Sequence, residues 1–329
     1  MQYRRLGTCG MKVSVLAYGT MMVSDGVTDT SLVRRGFDAG INLFDTADAY
    51  GEKGEVEVMT GRLIRELPRD EIVLATKVRF GYGGRGENRR GLSRKHVTHA
   101  IDGSLKRLGV DFVDLYQIHQ WDPDCPIEET VQVMGDLVRR GKILYWGLSN
   151  LNPTQTAETF RACDGLGAPY PVSHQPGYSV FEPGIVETQG KKFTGLDQLS
   201  QKYGFGMIVY SPLDAGVLTG KYLKGVPKES RAGRQADNPQ WTARLRPEKL
   251  AAVARLAPVA EKAGITLAQL ALAWVLGRPG VSAAIMGATS VLQLEENIKA
   301  CDTALDAGTL AAVEKIRSEY FAATHQLIQ

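Results

Sequence analysis

The chain has 329 residues, of which 43% are hydrophobic and 23% charged, and Lys plus Arg stand at 39 against 36 for Asp plus Glu. That near balance gives no global electrostatic case for nucleic acid, and no window reaches the roughly 18 apolar residues of a membrane span. The start, MQYRRLGTCGMKV, lacks a signal-peptide core, and the scattered cysteines (Cys9, Cys125, Cys163, Cys301) form no Cys-x-x-Cys pair, so no metal site or redox dithiol is indicated and a cytoplasmic protein with reduced thiols is expected.

Short β-rich runs alternate with longer helical ones. The first strand is read at 13–19 (VSVLAYG), followed by a helix at 29–40. The second is 41–45 (INLFD), with a helix at 55–67. The third is 71–77 (EIVLATK), with a helix at 94–109, and the fourth is 112–119 (FVDLYQIH), with a helix at 127–141. Further strands follow at 143–149, 171–175, 206–212 and 282–288. Alternating strands and helices imply parallel βαβ units, and eight units can close into a (β/α)8 barrel. In the third helix Val97, Ile101, Leu105 and Leu108 fall on one face, with Ser93 placed to cap its start and Gly109 its end. Three stretches exceed a minimal barrel: 78–92, rich in Gly and Arg; 213–246, long and basic; and the tail beyond 301. The first two follow strands, on the face where barrel active sites form. The GYGGRG run at 81–86 opens no clear helix and reads as a flexible loop rather than a Rossmann fingerprint.

Several apolar strands end on polar residues: the second on Asp45, the third on Lys77, the fourth on His119 and the fifth on Ser149 and Asn150, while Tyr50 follows the second. In a parallel barrel these ends share one face. A free tyrosine titrates near ~10 and is a poor acid at neutral pH; a nearby ammonium lowers that value. Lys77 is expected to supply the ammonium, Asp45 to hold it, Tyr50 to act as general acid, and His119 to donate to a carbonyl oxygen. This is machinery for reducing C=O, and it requires a hydride-carrying cofactor.

The stretches GLSRKHV, YWGLSN, YSPL, GVLTGKY, SRA and GATSVLQLEEN occur in the order seen in aldo-keto reductases. The chain resembles that superfamily over nearly all its length, and within it the branch with bacterial reductases and voltage-gated potassium channel β-subunits. The resemblance implies one barrel domain over 1–329, NADPH as cofactor with NADH possible, a small-molecule carbonyl substrate, and a tetrad of Asp45, Tyr50, Lys77 and His119. It further implies that Gly19, Thr20 and Met21 lie near the nicotinamide ribose, that Ser149, Asn150 and Gln175 bond the carboxamide, and that Tyr210 stacks on the ring. Ser211, Pro212, Leu213, Gly216 and Leu218 would follow the pyrophosphate, with Lys221 and Arg231 supplying charge to the phosphates. Gly287, Thr289, Gln293, Glu296 and Asn297 would meet the adenosine end, where the helix opening near Ser290 offers a positive dipole end. Gln293 stands where many relatives carry an arginine for the 2′-phosphate. Met22, Phe80, Tyr82 and Trp121 are the candidate substrate walls, suited to uncharged and bulky ketones or aldehydes. Two rivals are a regulatory subunit that senses NADP(H) redox state with little turnover, and a phosphate-handling barrel isomerase. The retained His119 and the short N-terminus favour the reductase over the first; Tyr50 with Lys77 disfavours the second.

Overall fold

The computed structural model describes all residues except 24–29, 82–85, 189–193 and 327–329. Tyr82 and most of the GYGGRG run therefore lie outside the described residues. The chain opens with an antiparallel hairpin, β1 (Tyr3–Arg5) and β2 (Lys12–Ser14). Eight parallel strands then close a barrel: β3 (Leu16–Gly19), β4 (Leu43–Asp45), β5 (Val73–Val78), β6 (Val113–Ile118), β7 (Ile143–Ser149), β8 (Ser173–Gln175), β9 (Gly206–Val209) and β10 (Val281–Met286). β10 pairs with β3 to seal it.

Helices α1 (Thr30–Asp38), α2 (Glu55–Ile64), α3 (Arg94–Leu108), α4 (Ile127–Arg139), α5 (Pro153–Leu166) and α6 (Leu196–Tyr203) connect successive barrel strands. Ser93 caps α3 by accepting from His96 N–H, and Gly109 closes it at φ 70°, as its sequence signals implied. Between β9 and β10 the chain builds two short helices, α7 (Arg231–Arg234) and α8 (Gln240–Arg244), then α9 (Pro247–Lys262) and α10 (Leu267–Leu276). α11 (Val291–Lys299) and α12 (Ala307–Gln326) follow β10. The tail beyond 301 thus becomes a helix packed on α9, joined to it by an Arg255–Glu319 ion pair.

One predicted strand is divided. The run 13–19 breaks at Val15: its first part pairs backwards with Tyr3–Arg5, and its second enters the barrel. The hairpin floors the barrel. Leu6 and Val13, both fully buried, pack against Ala17, Leu43, Val73, Ala75, Leu115, Ile208 and Ala283 inside it. Arg4 ties the hairpin on by donating to the carbonyls of Leu276 and Val281.

Period-two alternation does the rest. Leu43, Ala75 and Leu115 point inward in the lower layer, so Asp45, Lys77 and Gln117, each two residues further on, occupy the layer above. Phe44, Leu74 and Tyr116, on the opposite parity, face the helices in the outer core. The barrel interior is apolar at the floor and polar at the strand C-termini.

Candidate active site

Strand register brings the polar layer together. Lys77 pairs with Gln117, and Ser149 with Gln175 across the next strands. Lys77 is fully buried, and its Nζ donates to Asp45 Oδ2 at 2.6 Å, to the Thr46 carbonyl at 2.8 Å and to Tyr50 Oη at 3.3 Å. Asp45 Oδ1 accepts from Gln175 Nε2 at 2.8 Å and from Gln117 Nε2 at 3.4 Å. His119 stands edge-on to the Tyr50 ring at 5.8 Å between centroids. All four residues expected from the strand ends are in one place.

The electrostatics differ from the sequence expectation in one respect. Burial is the largest influence on Tyr50 and pushes its phenol above the ordinary value; Lys77 opposes the rise without cancelling it. The phenol is therefore protonated at neutral pH, which suits a proton donor. For Lys77, burial works against the charge, but Asp45 and Tyr50 together outweigh it and hold the ammonium above its usual range. Burial, with Lys77 and Arg79 nearby, pushes His119 down to about 3, so its imidazole is neutral. Its Nδ1 is buried without a partner among the described residues.

Ser149, Asn150, Gln175 and Tyr210 form one hydrogen-bonded group beside the tetrad. Ser149 Oγ donates to the Gln175 carbonyl at 2.9 Å, Asn150 Nδ2 to the His119 carbonyl at 3.2 Å, and Tyr210 Oη to Asn150 Oδ1 at 2.9 Å. The Tyr210 ring, 36% exposed, lies so close over Gly177 that a Cβ there would meet it at 3.0 Å. A larger residue there would push the ring outward. Thr20 is buried and donates through both N–H and Oγ1 to the Asp45 carbonyl, while Met21 and Met22 are exposed. Gly19 lies against Ile285 with no room for a side chain.

After β9 the backbone turns left-handed at Ser211 (φ 55°), Asp214 (φ 46°), Ala215 (φ 53°) and Gly216 (φ 93°). Non-glycine residues in that region cost of order 1–3 kcal/mol each and need surrounding structure to hold them. The buried Asp214 carboxylate provides it, accepting from Lys249 Nζ at 2.8 Å and pairing with Arg244. Lys249, itself buried, also pairs with Glu182 in the loop after β8. Pro212 and Leu218 point into the core, so they can offer a ligand only backbone. Leu213 lies at the edge of the core.

Cations gather beside this turn. Lys221 Nζ sits 2.6 Å from where a Cβ on Gly216 would fall, and lies over the Tyr222 ring at 5.1 Å. Arg231 Nε is a buried donor without a partner among the described residues, and burial, then Arg244, lowers its pKa. This donor set, with the Lys221 ammonium lying against Gly216 and the Arg231 Nε unpartnered among the described residues, fits a polyphosphate. At the far end Ser290 caps α11, and Gln293 Oε1 accepts from Thr289 N–H and Oγ1. Gly287 is exposed, Glu296 half-buried, and Asn297 buried with Nδ2 toward Met286 Sδ. Phe80 stands edge-on to His119 at 5.1 Å, and Trp121 is half-buried against the core.

Three site residues were missed from sequence. Gln117 falls on the same strand parity as Leu115 and His119, a signal that was there to use. Arg244 and Asp214 pair across 30 positions of irregular chain, which leaves no local pattern.

Comparison with known proteins agrees with this architecture. The chain belongs to the aldo/keto reductase family, whose model matches residues 15–318. Members of that family generally bind NAD(P)H, and a general oxidoreductase role fits. Similar proteins include a probable voltage-gated potassium channel subunit beta of Arabidopsis thaliana, 40% identical over 92% of each chain. Another, with the same printed name, comes from Oryza sativa subsp. japonica, at 38% identity over 92% of each chain. A putative voltage-gated potassium channel subunit beta of Schizosaccharomyces pombe is 36% identical over 91% of this chain and 88% of its own.

Proposed function

We propose that the chain is an NADPH-dependent reductase of aldehydes or ketones, with Asp45, Tyr50, Lys77 and His119 as its catalytic residues. The observation that carries this reading is the ammonium of Lys77 held between the Asp45 carboxylate and the Tyr50 phenol, sealed from water. The nicotinamide, when bound, supplies the hydride to the carbonyl carbon. The rest falls to the chain's own side chains. Tyr50 gives its phenolic proton to the carbonyl oxygen, and Lys77, 3.3 Å away, stabilises the phenolate left behind. Neutral His119 donates an N–H to the same oxygen as negative charge develops there. Asp45 fixes Lys77 by a charge-assisted hydrogen bond, and Gln175 and Gln117 fix Asp45.

Ser149, Asn150, Gln175 and Tyr210 would hold the nicotinamide end. Lys221 and Arg231, with Arg244 added to them, would hold the phosphates, and Gly287, Thr289, Gln293, Glu296 and Asn297 the adenosine. NADPH is the favoured cofactor, with NADH as a second substrate. All four cysteines are free, which suits the cytoplasm.

The relatives' printed names favour a second reading, an NADP(H)-binding regulatory subunit with little turnover. Single-turnover oxidation of bound NADPH against a panel of carbonyl compounds, with NADH in parallel, separates the two. A reductase oxidises its cofactor in a carbonyl-dependent manner, and Tyr50→Phe slows that step by about 10²–10⁴-fold while cofactor affinity stays near wild type. A cofactor that binds tightly and is oxidised by no carbonyl would establish the regulatory reading instead.

A further inference from the structure

Arg79, the second residue beyond Lys77, is not used by the chemistry above. It is half-buried at the strand C-terminal face. Its Nε donates to the Trp121 carbonyl at 2.9 Å, which ties the loop after β5 to the loop after β6. Its guanidinium carbon lies 4.9 Å from the centre of the Phe80 ring, and the imidazole of His119 meets that same ring at 5.1 Å. The Arg79 backbone is held as well, because its carbonyl accepts from Gly91 N–H at 2.7 Å.

Among the described residues no carboxylate lies within ion-pairing distance of Arg79. The neighbouring acids are engaged elsewhere. Asp45 is saturated by Lys77, Gln175 and Gln117; Asp122 accepts the backbone N–H groups of Leu92 and Asp124; Glu87 pairs with Arg90. One edge of the guanidinium is fixed to backbone, its carbon lies over an aromatic ring, and among the described residues both terminal amino groups remain to donate. A planar fork so held is suited to a bidentate anion, which a lysine at the same place would bind only as a point charge.

We propose that Arg79 selects substrates that carry a carboxylate, placed one aromatic ring or a short chain away from the carbonyl that His119 and Tyr50 address. This rests on the reductase reading of the same site and narrows its substrate class from aldehydes and ketones in general to oxo acids. Phe80 and Trp121 flank the intervening carbons, and Arg79 takes the acid group at the far end.

The test uses 4-carboxybenzaldehyde and its methyl ester, which share the aldehyde and differ in the charge. Steady-state reduction by NADPH gives the acid-to-ester ratio of kcat/KM for wild type, Arg79→Gln and Arg79→Lys. Calorimetric binding of the same pair to the protein with NADP+ gives a ratio that needs no turnover. The expected wild-type preference for the acid is about 10–100-fold in both measurements. It collapses toward unity in Arg79→Gln and is partly kept in Arg79→Lys. Melting curves exclude variants that fail to fold, and Arg79→Lys keeps the charge should Arg79→Gln unfold. Reduction of both aldehydes with no acid preference, or a preference that Arg79→Gln leaves intact, overturns the assignment and leaves the reductase standing. Arg79-dependent binding of the acid without reduction of either compound overturns the reductase reading and leaves the anion site standing.

Discussion

A lysine with no solvent contact keeps its charge here because three oxygens share it, and removing it has two separate effects. Lys77→Met takes away the charge that stabilises the Tyr50 phenolate and strands the buried Asp45 carboxylate. Breaking a buried pair from one side costs roughly 3–5 kcal/mol. Expected are loss of carbonyl reduction at every pH from 6 to 9 and a lower melting temperature; near-normal turnover at pH 7 would sink the pairing. The histidine makes the opposite kind of prediction. The unfolded chain takes up a proton at His119 near 6.5, whereas the folded protein does so only near 3. Acid therefore favours unfolding as pH falls from 6.5 toward 3, and above that window the imidazole is neutral throughout. The kcat/KM profile for carbonyl reduction should accordingly show no inflection near pH 6.5, and one that vanished in His119→Asn would contradict the assignment.

Among the elements, the excursion between β9 and α9 carries the cofactor prediction. The stretch 287–298 contains no lysine or arginine, so a cation for a 2′-phosphate has to come from elsewhere. Arg231, whose Nε has no partner among the described residues, is the candidate. Arg231→Ala should weaken NADPH binding by about 10–100-fold and NADH binding less, since a charged hydrogen bond contributes roughly 1.5–3 kcal/mol. Fluorescence titration of both cofactors checks it; equal losses would assign Arg231 to the pyrophosphate or to the fold. The elements also mark how far sequence reading reached. The run 143–149 is β7 to the residue, and the strand-end residues Asp45, Lys77 and His119 were legible because one parity carries both core and chemistry. The hairpin was not, since β2 and β3 read as one apolar run and only their partners tell them apart. The weld of Asp214 to Lys249 and Arg244 was hidden for a related reason: its members lie in or beside irregular chain and are joined only by tertiary contact.

At the scale of the molecule, floor and chemistry lie at opposite ends of the barrel, which separates stability from catalysis. Leu6→Ala empties part of the floor cluster and should cost roughly 2–5 kcal/mol of stability. Well below the melting temperature its kcat and KM for a carbonyl substrate should match wild type; a changed KM for cofactor or carbonyl would mean that the floor reaches the site. Among the described residues no single helix is long and apolar enough to cross a membrane. The bent pair that passes by length and composition, α9 with α10, includes a helix buried from its second residue, Ala268, to its last, Leu276, in the barrel's outer layer.

The seam between β3 and β10 has a consequence for synthesis. β3 is the first barrel strand to leave the ribosome, yet one of its edges is completed only by residues 284–286. At ~5–20 residues per second the interval is roughly 13–50 s, during which a nascent, open sheet offers unpaired backbone on that side. The hairpin waits as well, because Arg4 finds its acceptors only at Leu276 and Val281. A chain stalled anywhere short of β10 therefore displays a ready template for strand addition, and chaperone dependence should fall steeply once translation has passed residue 286.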